Sequence, residues 1–437
     1  MSDRQPTGLP TLLRRLNTVD VLREIRSNGP VSRASIAKAT GLSQLTVNQI
    51  ASGLLRAGHV IEERGEAHPA PSRRGRRTGF LRFNATTGYV LGIDIGPAAV
   101  LVLVADLNSK IVADEQRRIL RRGQLHPMPL LSLVRGAVHA ALDRCGISQT
   151  QVVAAGIGVP GRVDPLSGQI RFVPSLPGWH GLIVRKRLAR SFACPVVVEN
   201  DMHLAILAER GFGAARTDDN AVYIHVGVGI GLGVLVQGEL YRGAAGAAGE
   251  IAFLWVCDIE DSPEADFGTF EWTAGSTAFA RLGRRAAASS PGGLISTLAG
   301  GDLDRINARI VVEAARQGDA DASAILENLT KRLARGISAV QCMLDPGTII
   351  LGGEVSHAGP LLLERLKAQI VTMTRPPTGK VVVSSLGERV VALGAVQVAL
   401  RQVEQRLFAV PAEALPLHGA GRGPHRQARI RSKGGAA

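Results

Sequence analysis

"AVYIHVGVGIGLGVLVQGELYRG", residues 221–243, is an apolar run, a glycine-rich turn, a second apolar run and a short turn into a third. Runs of this length, rich in Val and Ile and punctuated by glycine, read as strand, turn, strand, turn, strand. The same grammar occurs earlier in "GYVLGIDIGPAAVLVLVADLNSKIVADEQRRI", residues 88–119. Two such units about 130 residues apart, each followed by mixed helices and strands, form a weak internal repeat. They predict two similar α/β lobes facing a cleft, with the first glycine turn of each lobe on that cleft.

Polar groups gather on the loops around these units. "GIGVPGRVDPLSGQIRFVPSLPGWHG" (156–181) is dense in turn residues. "VVVENDMHLAILAERG" (196–211) sets Glu199, Asn200 and Asp201 at the end of an apolar strand, just before a helix. "GAAGEIAF" carries Glu250 and "FGTFEWTAG" carries Glu271. Each acidic residue alone is an ordinary cap or surface charge. Together, on loops of this kind, they can line a pocket for a polyhydroxylated ligand. Farther on, a helix leads through Asp345-Pro346-Gly347 into a buried strand, Thr348–Leu351, and Gly352-Gly353 turns the chain toward another helix.

The N-terminal stretch "NTVDVLREIRSNGPVSRASIAKATGLSQLTVNQIASGLLRAGHVIEE" (17–63) has helical rhythm. Val19, Val21, Leu22 and Ile25 share a face, and Asn28-Gly29-Pro30 ends that helix. Ser32 caps a second helix, Gly41 supplies the tight turn, and Ser43 caps a third with Val47, Ile50 and Leu54 inward. Helix, glycine turn, helix is a helix-turn-helix. The early residues of its second helix meet base edges in a major groove. Gln44, Leu45, Thr46, Asn48 and Gln49 face outward, and Ser43, Gln44, Thr46, Asn48 and Gln49 are the expected DNA contacts, because amides pair with adenine and hydroxyls reach bases or phosphates. Residues 59–64 and 79–84 can pair as a wing whose tip carries Arg73, Arg74, Arg76 and Arg77, suited to phosphates or the minor groove.

Charge agrees with this division. Residues 1–83 hold 14 Lys/Arg against 6 Asp/Glu, and residues 412–437 hold 5 against 1, so of the net +14 only +2 falls on the rest. A basic N-terminal unit points to a polyanion. The Gly/Arg-rich tail "HGAGRGPHRQARIRSKGGAA" is too polar to bury a core and is expected to be disordered. The 437 residues suggest two to three domains. No apolar run of membrane-spanning length and no signal-peptide core is present, so a cytoplasmic protein with no membrane partner is expected. Cys145, Cys194, Cys257 and Cys342 are scattered, without disulfide or zinc spacing.

"GIDIG", "GVPGRVD", "PGW", "VENDMHLA", "GVGIGLGVLVQGELYRGAAGAAGEI" and "DPGTIILGGEVSHAGPLLLE" follow one another in this order across most of residues 17–400. In that order they resemble the ROK family of repressors, open reading frames and sugar kinases, in its DNA-binding form. The resemblance implies a winged helix-turn-helix over residues 1–83. It implies a two-lobed, actin-like (ribonuclease H-like) sugar-kinase fold over 84–411, with lobes of about 84–200 plus a C-terminal helix 392–408, and of 201–391. Residues 412–437 form the basic tail. It also implies that Asp201 occupies the position of the kinases' base, with Asn200, Glu250 and Glu271 holding sugar hydroxyls and Gly161 approaching the sugar through its loop.

The sequence departs from the kinases where ATP would bind. In place of their Asp-Gly-Gly-Thr-Lys the chain has Asp94-Ile95-Gly96-Pro97-Ala98-Ala99, and Val228 replaces a loop hydroxyl. Pro97 has no N–H to offer a phosphate. Phosphoryl transfer depends on such positioned donors. The expected protein is therefore not an enzyme: Asp201 is a vestigial base, and no cofactor is expected. Phe253 stands where the family's zinc site has a histidine, and "CDIEDSPEADFGTFE" offers a single cysteine, so no metal is expected. Phe253 also removes a usual sugar contact, so an atypical sugar or sugar derivative is a candidate ligand. The leading expectation is a sugar-controlled transcriptional regulator, a repressor of carbohydrate genes, that binds operator DNA as a homodimer or dimer of dimers. Two alternatives stay open: an active ATP-dependent sugar kinase with an accessory DNA module, and a constitutive DNA-binding protein whose body is a dimerisation scaffold.

Overall fold

The computed structural model describes residues 9–64, 79–188, 191–257, 267–354, 359–374 and 379–408. Arg73, Arg74, Arg76 and Arg77 of the expected wing tip, and the expected tail, lie outside the described residues. The chain divides into two compact units, one of residues up to Asn84 together with those from Glu404, the other Ala85–Val403.

The first unit contains α1 (Leu9–Asn28), β1 (Val31–Ser32), α2 (Arg33–Thr40), α3 (Gln44–Arg56), β2 (Val60–Arg64) and β3 (Gly79–Phe83). Ser32 and Ser43 both act as N-caps, their hydroxyls accepting from the Ser35 and Thr46 amides. Gly41 ends α2 at φ +70°, where a side chain would be strained. The inward faces meet in a small core: Val21, Leu22 and Ile25 of α1, Ile36 of α2, and Val47, Ile50, Ala51 and Leu54 of α3 are buried. The hairpin β2–β3 pairs Val60 with Phe83 through Arg64 with Gly79. The two-residue β1 joins it, giving a three-stranded sheet in the order β1-β3-β2.

The second unit begins with the meander β4 (Tyr89–Ile95), β5 (Ala99–Asp106) and β6 (Ile111–Arg118), followed by α4 (Pro127–Cys145), β7 (Val152–Val159), the hairpin β8 (Arg162–Val163) and β9 (Ile170–Phe172), α5 (Val184–Leu188) and β10 (Val196–Asn200). After α6 (Asp201–Phe212) comes a second meander, β11 (Ala221–Val226), β12 (Ile230–Val236) and β13 (Glu239–Leu240). A helical block follows: α7 (Thr269–Ala274), α8 (Ser276–Ser289), α9 (Leu294–Leu298), α10 (Ala308–Arg316) and α11 (Ala320–Leu344). The chain then forms β14 (Thr348–Gly352), α12 (Pro360–Met373), β15 (Lys380–Val383) and α13 (Val390–Phe408).

The repeat read in the sequence is a topological one. The first sheet runs β10-β7-β4-β5-β6 and the second β13-β12-β11-β14-β15. Each is therefore an antiparallel meander extended by two parallel strands on its first member. Equivalence reaches single residues: Asp94 of β4 pairs with Gly158 of the parallel β7, and His225 of β11 pairs with Gly352 of the parallel β14. Each sheet has its own apolar core.

Glycines set how closely helices approach the sheets. A Cβ on Gly92 or Gly156 would lie 2.2 and 2.0 Å from the Ala392 and Ala395 carbonyl oxygens, so α13 lies directly on the first sheet. A Cβ on Gly233 would lie 2.2 Å from the Met202 carbonyl oxygen, so α6 lies against the second. At Gly394 the two helices cross, with room for no Cβ beside Leu204.

Candidate functional site

The parallel strands β4, β7 and β10 end together, and Asp94, Gly158 and Glu199 stand level in the register. Ligands of α/β sheets bind beyond the carboxyl ends of such strands. Asn200 ends β10 and caps α6, its Oδ1 accepting from the Met202 and His203 amides at 2.8 and 3.0 Å. Its Nδ2 donates to the Gly161 carbonyl at 2.8 Å, which fixes the loop before β8 against the start of α6. Gly161 sits at φ +84°, and a Cβ there would lie 2.1 Å from the Phe172 carbonyl oxygen.

Asp201 opens α6, its carboxylate accepting from the Met202 amide at 2.9 Å. Desolvation pushes its pKa up to about 7, with a further rise from the Glu250 charge. Asp94 is pushed up to about 8 by desolvation and then by the Asp201 charge. Glu250 and Glu271 are also raised, in each case mainly by desolvation, and the Glu250 charge adds to the rise at Glu271. Asp94, Asp201, Glu250 and Glu271 thus form one electrostatically coupled, partly desolvated set. Arg162 is its counter-charge, lowering Glu250, and the Arg162 Nε is buried without a hydrogen-bond partner. Acceptors that favour protonation beside an unsatisfied donor are suited to hydroxyl groups, which both donate and accept.

The structure therefore brings Gly161, Asn200, Asp201 and Glu250 of the expected sugar contacts to one place. Glu271 is joined to it by charge but is engaged locally. Its two oxygens accept from the Gly268 amide at 2.9 Å and the Ile230 amide at 3.2 Å, capping α7 and bracing the glycine turn. Asp94, read in the sequence only as part of an altered phosphate loop, belongs to the set, and so does Arg162. An acidic residue ending a buried strand was the available signal for Asp94.

Glu199 has a different task from its neighbours. It is 5% exposed, accepts from Arg242 at 2.7 Å and lies 3.0 Å from His203 Nδ1. Burial drives its pKa up, but His203 and Arg242 outweigh burial and hold it below the usual carboxylate range. This pair ties the end of β10 to the "YRG" segment after the second meander. Arg242→Met is expected to cost about 1–3 kcal/mol, the range for removing one partner of a buried pair discounted for the half-exposed arginine. A depressed pKa contributes stability above the unfolded value that is lost as pH falls. The difference between variant and wild type, followed by urea unfolding, should therefore be widest near pH 7 and narrow below pH ~4.5.

At the two glycine turns, three amides are already used. The Gly96 amide donates to the Ala99 carbonyl at 3.0 Å, Gly227 to Gly229 at 3.0 Å, and Ile230 to the Glu271 carboxylate. Val228 presents a 53% exposed apolar residue at the second turn. Gly352-Gly353 lies beside that turn, where a Cβ on Gly353 would meet the Val226 backbone. Burial lowers the His225 pKa, against a smaller rise from Glu354. The "PGW" motif is architectural: Trp179 is fully buried, and its indole N–H donates to the Leu125 carbonyl at 2.8 Å. Among the described residues no group of three or more His, Cys, Asp and Glu is placed to hold a metal ion, and residues 258–266 lie outside them. No helix among the described residues is long and apolar enough to cross a membrane.

In the first unit, Gln44, Asn48 and Gln49 are exposed along the outer face of α3. The hydroxyls of Ser43 and Thr46 are 2.8 Å apart, engaged with each other at the helix cap.

Two α/β lobes of matching topology, with a carboxylate-lined site at the ends of parallel strands, define a sugar-kinase-like body. The chain belongs to the ROK family, whose model matches residues 90–402. It is 25% identical over 393 residues to the xylose repressor of Caldicellulosiruptor bescii, covering 89% of this chain and 96% of that one. A ROK family transcriptional regulator described as a homologue of the Escherichia coli MLC protein shares the fold over 91% of this chain and 97% of its own, with TM-score 0.71 at 21% identity. A ROK family glucokinase from Streptomyces griseus, solved with glucose and AMPPNP, matches 72% of this chain and 100% of its own, with TM-score 0.62 at 27% identity.

Proposed function

We propose that the chain is a sugar-responsive transcriptional repressor that has given up phosphoryl transfer. The observation that carries the sensing half is the set of Asp94, Asp201, Glu250 and Arg162, three desolvated acids beside a half-buried arginine whose buried Nε has no hydrogen-bond partner. A sugar's hydroxyls donate to the carboxylates and accept from Arg162. Asn200 and Gly161 hold the loop that closes on it. Because the relative named above is a xylose repressor, pentoses are the first ligands to test, followed by hexoses and N-acetylated sugars.

The DNA half rests on the first unit: two capped helices joined at Gly41, an outward amide-rich face on α3, an antiparallel hairpin, and the net positive charge of residues 1–83. This is read as a winged helix-turn-helix that places α3 in a major groove, with a homodimer reading two half-sites in the cytoplasm. Residues 1–83, 84–411 and 412–437 are its DNA-binding, sugar-binding and tail segments. A sugar acts as a switch only if it binds one arrangement of the lobes much better than the other.

Loss of kinase activity is supported by Pro97, by the self-satisfied Gly96 and Gly227 amides, and by the Glu271 carboxylate at the Ile230 amide, which sets negative charge where a phosphate would need donors. The retained Asp201 and the likeness to the glucokinase favour the alternative of an active kinase. Isothermal titration with the sugar panel and a coupled ADP-release assay separate them. Sugar binding without ADP release supports the repressor; sugar-dependent ADP release at kinase-like rates overturns it.

A further inference from the structure

We propose that Leu45 reads the 5-methyl group of a thymine in the operator half-site, making it a specificity-determining residue of α3. This rests on the DNA-binding reading above and extends it from the amide contacts to an apolar one.

The apolar residues of α3 fall into two sets. Val47, Ile50, Ala51 and Leu54 are 0–7% exposed and form the inward face. Leu45 is 69% exposed and belongs to the opposite face. It lies one residue after Gln44 and, at helical spacings of three and four, next to Asn48 and Gln49, all exposed. It therefore makes no contribution to the core of its own unit. It also sits in the first turn of the helix, the part that reaches base edges when such a helix enters a major groove.

The hydroxyls that flank Leu45 are occupied. Ser43 Oγ accepts from the Thr46 amide at 3.1 Å and shares a hydrogen bond with Thr46 Oγ1 at 2.8 Å. The leading surface that remains is one aliphatic side chain among three amides. In the major groove amides pair with adenine, and the one apolar feature a base pair offers there is the thymine methyl. Both preferences select A·T pairs, so the leucine and its amide neighbours read adjacent positions of an A·T-containing step. The net +8 of residues 1–83 supplies the attraction to the duplex that brings this face into the groove.

The test begins with selection of duplexes from a random pool by the full-length protein. In the enriched site each thymine is then replaced, one at a time, by deoxyuridine, which lacks only the methyl. Burial of one methyl predicts about fourfold weaker binding at the contacted position for the wild type. Leu45→Ala should bind the thymine site about as weakly and show no further loss on that deoxyuridine substitution, while still losing affinity, as the wild type does, when an adenine read by Gln44 or Asn48 is replaced by guanine. Leu45 is exposed, so the variant should melt at the wild-type temperature; Leu45→Met, which keeps an apolar side chain, should retain most of the discrimination. A site whose deoxyuridine series is the same for wild type and Leu45→Ala overturns this proposal and leaves the DNA-binding reading standing. Failure to enrich any sequence overturns both.

Discussion

Asp201→Asn should move the response to sugar to roughly ten- to hundredfold higher concentration and at the same time make the protein more stable above pH 7. Asparagine keeps the acceptor for the Met202 amide. It removes the charge that a ligand hydroxyl would meet. A hydrogen bond to a charged group contributes about 1.5–3 kcal/mol, so affinity should fall roughly ten- to a hundredfold. The stability effect has the opposite sign. The Asp201 pKa is raised to about 7 in the folded protein, chiefly by desolvation. The native state therefore binds more protons than the unfolded chain between the usual aspartate value and about 7. In that window wild-type stability falls as pH rises, and the variant is spared the loss. The gap should open from pH ~4 and reach about 2–4 kcal/mol at pH 8, reduced by the coupling to Asp94. Chemical unfolding at pH 5 and pH 8 measures it. A variant less stable than wild type at pH 8 would mean that Asp201 is held by a partner in the native protein rather than desolvated.

Gly161→Ala should be among the most destabilising single-methyl additions in the body. At φ +84° any Cβ is strained, by about 1–2 kcal/mol. The Phe172 carbonyl oxygen 2.1 Å from the Cβ position adds an overpacking cost of about 1–3 kcal/mol. Relief requires the loop to move away from β9, which breaks the bond from Asn200 to the Gly161 carbonyl and displaces Arg162, the next residue. Sugar affinity and stability should fall together, unlike in Asp201→Asn. An intact stability curve with unchanged sugar binding would show that this loop is free to shift and does not position the site.

The contrast between these variants shows how far the sequence could be read. The two strand–glycine–strand units were legible because short continuous apolar runs, rich in Val and Ile and broken by glycine, read as buried strands, and they became the two equivalent meanders. Both serine caps, the Gly41 turn and the inward face of α3 were legible for the same reason: each is a local rule about neighbours in the chain. Asp94 and Arg162 were not recognised as site residues, since their significance comes from strands and loops distant in sequence meeting at one level of a sheet. Glu199 was grouped with Asn200 and Asp201 by adjacency. Its pairing with Arg242, 43 positions along the chain, is a tertiary fact that gives it a structural part. Glu271 was read as a ligand contact, yet both its oxygens meet backbone amides, which no spacing rule announces. The helical block between β13 and β14 was not divided into its members, although Pro291-Gly292-Gly293, Gly300-Gly301 and Gly318-Asp319 mark the joints between α8, α9, α10 and α11.

The most direct test of the central claim is the affinity of the full-length protein for its selected duplex, measured by fluorescence anisotropy with and without the sugar that binds it best, for wild type and Asp201→Asn. At a sugar concentration that just saturates the wild type, sugar should weaken its duplex binding by about tenfold or more and leave the variant, which binds the same duplex, largely unchanged. If the wild type binds sugar in the cleft and its hold on the duplex does not move, the two halves are not coupled and the account is wrong.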